Sequence, residues 1–130
     1  EQRRSFTYID DGITALIKII ANTDGVTTGK IYNIGNPRNN LSVRELAVRM
    51  LELAAEYPEY RDNATKVKLI DATALDYYGK GYQDVQQRVP KIANTCTDLD
   101  WQPTVKMDDA LRRIFEAYRT HVAEAGCLVD

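Results

Sequence analysis

Three stretches of this sequence carry apolar residues at helical spacing, while only two or three short runs have the composition of a strand. That imbalance constrains the fold more than any single motif. An amphipathic helix must bury its stripe against a sheet or another helix, and two or three short strands make a poor sheet by themselves. The first helix is predicted from Ile9, Ile13, Leu16, Ile17 and Ile20, with Asp10 and Asp11 in its first turn, where the macrodipole favours acids. The second opens at Ser42-Val43-Arg44-Glu45, a capping box, and shows Val43, Leu46, Ala47, Met50, Leu51 and Ala54 on one face before Tyr57-Pro58 closes it. The third covers about 108–125 and is expected to bury Leu111, Ile114, Phe115, Tyr118 and Val122.

Strands are expected at 5–8, at 30–34 (KIYNI, ended by Gly35-Asn36-Pro37) and at 66–70, where Lys, Val, Lys and Leu alternate. A short helix is expected over 92–99, and a turn pinned by Trp101, the only tryptophan, over 99–103. The expected architecture is an α/β lobe, one domain over 1–130, with part of its apolar surface covered by another portion of a larger protein. The opening at Glu1, without methionine, fits that expectation.

A net charge of −2 gives no electrostatic reason for a nucleic-acid or membrane partner. No apolar run approaches the length of a membrane span. The two cysteines, Cys96 and Cys127, lie far apart without metal-ligand neighbours and fit reduced thiols in the cytoplasm.

The stretch 77–90, YYGKGYQDVQQRVP, is the chemical centre of the sequence. Gly79 and Gly81 let the backbone bend, and Tyr77, Tyr78 and Tyr82 offer flat faces with a hydroxyl at the tip. Arg88 stands in extended chain, because Val89 precedes Pro90 and is pushed away from helical angles. One reading is a mobile lid running into a fixed guanidinium over an anionic ligand. The alternative is a surface loop whose tyrosines pack on a neighbouring helix.

Several chemistries are excluded or disfavoured. Gly79-Lys80-Gly81 lacks the leading glycine, the spacing and the trailing Ser/Thr of a P-loop, and no G-x-G-x-x-G follows a strand. His121, the only histidine, has no nucleophile or carboxylate partner in the pattern and reads as a surface or helix-end residue. Histidines, cysteines and clustered carboxylates are too few for a metal centre. Asp10-Asp11 and Asp108-Asp109 are most simply acids in the first turns of helices.

The landmarks taken in order resemble a known family. R-x-F-x-Y-I-D-D at Arg4 to Asp11 precedes I-Y-N-I-G at Ile31 to Gly35 and S-V-R-E-L at Ser42 to Leu46; Arg88 and L-D-W-Q-P at Leu99 to Pro103 follow. This resembles the C-terminal portion of extended short-chain dehydrogenases/reductases acting on nucleotide sugars. Within them, Y-Y-G-K-G-Y-Q-D-V with Arg88 and Pro90 resembles the ArnA-type UDP-glucuronic acid decarboxylases of lipid A aminoarabinose modification and polymyxin resistance.

The resemblance implies a substrate-binding lobe whose NAD site and Tyr-x-x-x-Lys pair sit in an N-terminal Rossmann domain outside this sequence. By itself the piece would be inactive. The full-length enzyme would be a bacterial, cytoplasmic homo-oligomer taking UDP-glucuronic acid, with neither nucleic acid nor membrane as partner. Gln2, Arg4 and Tyr82 fall on substrate-binding positions and Arg88 on the arginine assigned to decarboxylation, supplying or positioning a proton. Two guanidiniums would orient a polyanionic substrate. Because arginine is a poor proton donor, electrostatic stabilisation of the enolate left after CO2 loss is the simpler role for Arg88. Another nucleotide-sugar enzyme (a UDP-xylose synthase, epimerase or dehydratase) and a non-catalytic α/β interaction domain are the alternative readings.

Overall fold

The computed structural model describes residues 2–71 and 85–122. The chain enters through strand β1 (Arg3–Ser5), which is central in a three-stranded sheet of order β2-β1-β3. Strand β2 (Asn40–Ser42) lies antiparallel to β1, and strand β3 (Gln87–Arg88) lies parallel to it. Five α-helices are described: α1 (Ile9–Ala21), α2 (Val43–Ala54), α3 (Pro58–Ala64), α4 (Ala93–Leu99) and α5 (Met107–Tyr118). Helix α1 packs on α4, and α2 packs on both α3 and α5. No helix among the described residues is long and apolar enough to cross a membrane.

The capping box forms as its spacing predicts. Glu45 N donates to Ser42 Oγ at 3.0 Å and Ser42 N donates to Glu45 Oε2 at 2.7 Å, satisfying two of the helix's orphan donors. Helix α1 stops at Asn22, whose left-handed backbone (φ 43°) lets its N–H donate to Lys18 O. Pro58 does not merely close α2. It starts α3 as a first-turn proline, where its missing N–H costs nothing. That helix, absent from the sequence reading, is tied to α5 by Tyr57, Tyr60 and Phe115, with ring centroids 5.4 to 5.9 Å apart. The Tyr60 hydroxyl donates to Phe115 O at 2.8 Å.

One core gathers Ala15, Leu99 and Trp101, with Ile19, Tyr32, Ile34, Ile92 and Cys96 against it. Its boundary is set by a buried polar joint. The Asp11 carboxylate accepts from Thr104 N, Thr104 Oγ1 and Val105 N at 3.0 to 3.1 Å, and Trp101 Nε1 donates to Asp11 O at 3.0 Å. Asn36 and Asn39 each donate a side-chain N–H to Val105 O, and Asn39 Oδ1 accepts from Met107 N. Asp11 therefore does more than sit in a first turn. It holds the segment after Trp101 onto the start of α1. Its neighbour Asp10 is exposed and faces Arg113 at 3.7 Å.

The described residues leave the stripe of α1 uncovered, in keeping with the expectation of uncovered apolar surface: Ile9, Ile13, Leu16, Ile17 and Ile20 are 45 to 82% exposed, and the residues α1 does bury are Asp11 and Ala15. Several other expectations are corrected. On α2, Val43 and Met50 are exposed and Leu53 and Ala54 are buried; on α5, Ile114 and Tyr118 are exposed. The strand at the entrance is 3–5 instead of 5–8. Residues 30–34 alternate in burial as a strand would, Tyr32 and Ile34 inward and Ile31 and Asn33 outward, yet they pair with no strand among the described residues. Strand structure requires a neighbour for its ladder, and the described residues offer none there. Residues 66–70 likewise form no strand and are exposed. Helix α5 ends at Tyr118 and passes into a 3₁₀ turn, Arg119–His121; Val122 is again helical, and positions 123–125 of the expected helix lie outside the described residues.

Candidate functional site

The parallel pairing of β1 with β3 sets Arg3 beside Gln87 and Arg4 beside Arg88. Residues in register on neighbouring strands send their side chains to the same face of a sheet. Arg4 and Arg88, distant in sequence, are thus side by side on one face. Arg4 is half-buried and its Nη1 donates to Arg3 O at 2.8 Å and Val85 O at 2.9 Å. Arg88 is exposed, and its carbonyl accepts from Ser5 Oγ at 3.3 Å. The approach of β3 is completed by Arg3 N donating to Gln86 O at 2.8 Å.

Successive residues of a strand face opposite ways, and the arginine doublet of β1 is divided accordingly. Arg3 turns toward α2: its Nη1 lies 2.9 Å from Glu45 Oε2, its Nε donates to Asn40 Oδ1 and its Nη2 to Asn40 O. The Glu45 carboxyl is held below its ordinary range, first by the Ser42 backbone N–H and then by the Arg3 guanidinium. Arg3 is a structural arginine. Arg4 is the one on the face of Arg88.

Of the residues singled out from sequence, Arg4 and Arg88 are brought together and Gln2 lies half-buried one position before β1. Tyr82, with Tyr77, Tyr78, Gly79 and Gly81, lies outside the described residues, as does Cys127; Val85 is where description resumes. Cys96 is a half-buried free thiol. His121 is exposed and is the last residue of the 3₁₀ turn Arg119–His121. Among the described residues no group of His, Cys, Asp or Glu is placed to hold a metal ion.

Two neighbours of the arginine pair were not singled out from sequence. Ser5 binds the carbonyl of Arg88, a contact invisible until the strand register is known. Gly35 lies so close to Pro90 that an added Cβ would fall 2.4 Å from its Cγ. The sequence signal for that was present only as a glycine at the end of an apolar run.

A groove between β2, α2 and the start of α5 is also rich in arginine, but its guanidiniums are committed to the fold. Arg49 pairs with Asp108, its Nε donating to Oδ1 at 2.7 Å, and with Glu52 at 3.0 Å, while Arg38 donates to Pro103 O. The arginine face of the sheet is the candidate site.

No protein-family profile matches the chain. Among solved structures, the crystal structure of the PbgP3 protein from Burkholderia pseudomallei is similar over all of this chain, with 60% sequence identity and a TM-score of 0.82. The chain spans 35% of the length of that protein. Identity at that level over the whole chain, with the same fold, bears out the family resemblance carried by the ordered sequence landmarks.

Proposed function

We propose that this chain is the substrate-holding lobe of an NAD-dependent UDP-glucuronic acid 4-dehydrogenase/decarboxylase, giving UDP-4-keto-pentose for aminoarabinose modification of lipid A. The observation that carries the reading is the register pair Arg4 and Arg88, two arginines on one face of adjacent strands. Their spacing across adjacent strands suits a ligand with separated anionic groups, a pyrophosphate at one end and a sugar carboxylate at the other. Similarity to PbgP3 over the full chain supports the family-level part of the reading.

In this assignment Arg4, with Gln2 and Tyr82, holds the UDP portion, and Arg88 faces the sugar. NAD supplies the oxidation at C4 when bound. In this reading the residues that hold it belong to the N-terminal domain of the enzyme. Once C4 is a ketone, the bond between C5 and the carboxyl carbon breaks, CO2 leaves, and the electron pair moves onto the C4 oxygen as an enolate. A fixed guanidinium stabilises that charge as it develops. A proton then returns to C5. The exposed apolar face of α1, Ile9 to Ile20, is the surface on which the N-terminal domain of the same enzyme packs.

The test is Arg88→Met beside Arg4→Met in the intact enzyme, followed by NADH formation and CO2 release. Arg88→Met keeps bulk and removes charge and donors. Turnover is expected to fall about 10²–10³-fold with little change in UDP affinity. Arg4→Met is expected to raise KM more than it lowers kcat. Equal, purely KM-type losses in both would make Arg88 a binding residue.

A further inference from the structure

We propose that Gly35 is a positioning residue: the space above its Cα seats the Pro90 ring and so fixes the strand that carries Arg88. For the effect on chemistry this rests on the reading of Arg88 given above; the positional statement stands on geometry alone.

Gly35 is not there for backbone freedom. The glycines with positive φ among the described residues are Gly25 and Gly29. What excludes a side chain at Gly35 is space: a Cβ would lie 2.4 Å from Pro90 Cγ and 3.2 Å from Pro90 Cβ. Carbon atoms in contact sit about 3.5–4.0 Å apart, so relief needs a shift of about 1 Å.

The two sides of this contact are unequally held. On the Gly35 side, Asn36 N donates to Thr7 Oγ1 at 3.0 Å and Asn36 Nδ2 to Val105 O at 3.1 Å. Thr95 Oγ1 donates to Asn33 O at 2.8 Å, and the Tyr32 hydroxyl donates to Asp98 at 2.9 Å. Asn36 and Thr95 are each only 1% exposed. Pro90 is anchored on its far side, where Asn33 Nδ2 donates to Lys91 O at 3.2 Å and Ile92 packs against the core, and on its near side it follows an exposed two-residue edge strand, so the give lies toward Arg88. A side chain at position 35 therefore moves Pro90, and Arg88 is two residues away. Reacting groups displaced by about 1 Å lose about 10²-fold in rate.

The experiment is a double-mutant cycle in the intact enzyme: Gly35→Ala, Pro90→Ala, both together, and Arg88→Met for reference. Gly35→Ala is expected to lose about 10²-fold, in whichever of kcat or KM Arg88→Met changes. Pro90→Ala removes Cγ and Cδ, so the double variant is expected to return to the rate of Pro90→Ala alone. Hydrogen exchange over 85–90 scores the same cycle independently of activity: faster in Gly35→Ala, restored in the double variant. A parent-like Gly35→Ala, or a double variant no better than Gly35→Ala by either readout, overturns the proposal. If Gly35→Ala alone fails to fold, a double variant that folds and turns over supports it and one that does not overturns it. An Arg88→Met enzyme with unchanged kcat and KM sinks the functional reading instead, and the exchange cycle still decides the role of Gly35.

Discussion

Two places where distant parts of the chain meet are built on opposite terms. At the joint between α1 and residues 101–107, buried donors and acceptors are matched: the Asp11 carboxylate takes three donors, Trp101 is 5% exposed, and two asparagines share Val105 O. At the β1–β3 edge, two exposed residues are added to a strand, among whose contacts are Arg3 N to Gln86 O, the Arg4 guanidinium to Val85 O and Ser5 Oγ to Arg88 O. Buried polar networks are costly to disturb once satisfied, whereas an exposed edge shifts for little. The candidate chemistry sits on the lightly held side, and the firm joint gives that side its reference frame.

The comparison is broken most severely by Trp101→Ala. Loss of this indole from the core is expected to cost about 3–5 kcal/mol, read as a lower denaturant midpoint. Arg88→Met, exposed and at the edge, is expected to leave that midpoint unchanged; a comparable loss there would erase the distinction. Asp11→Asn comes next. It trades an acceptor-only carboxylate for an amide that faces N–H donors, and about 1–3 kcal/mol should follow. Ser42→Ala removes the cap of α2 and is expected to cost about 1 kcal/mol. The smallest effect is a pH dependence carried by Glu45. Its folded pKa lies below the unfolded value, so its stabilisation is present above the ordinary carboxylate pKa and is lost as pH falls through the lowered one. Thermal midpoints of the parent and of Glu45→Gln should therefore converge on acidification; parallel curves would remove Glu45 from the account.

What was legible in the sequence follows from whether the information was local. The capping box was readable because Ser42 and Glu45 satisfy each other within one turn, and α1 was placed correctly by its period. Helix α3 was hidden because a proline read as a stop also serves as a start, and only the stacking of Tyr57, Tyr60 and Phe115 decides which. KIYNI has strand composition and strand-like alternation without a ladder among the described residues, because composition says nothing about whether a partner is there. The apolar stripe of α1 was read correctly as a stripe, and its exposure answers to the expectation that this chain leaves apolar surface uncovered. In the site, Arg4 and Arg88 were recognisable from their motifs. Their adjacency is a property of strand register, which no window of sequence contains.

The arginine doublet of β1 has one more consequence. A strand of three residues is short enough to slip by one position at little cost in backbone pairing, and a slip turns every side chain to the other face. In β1 such a slip would still present an arginine to each side, so charge alone would not betray it. Arg3 differs from Arg4 in meeting Glu45, which is itself fixed by the cap of α2. Glu45 thus acts as a key cut for one frame of the strand: it admits Arg3, and by doing so it assigns Arg4 to the opposite side.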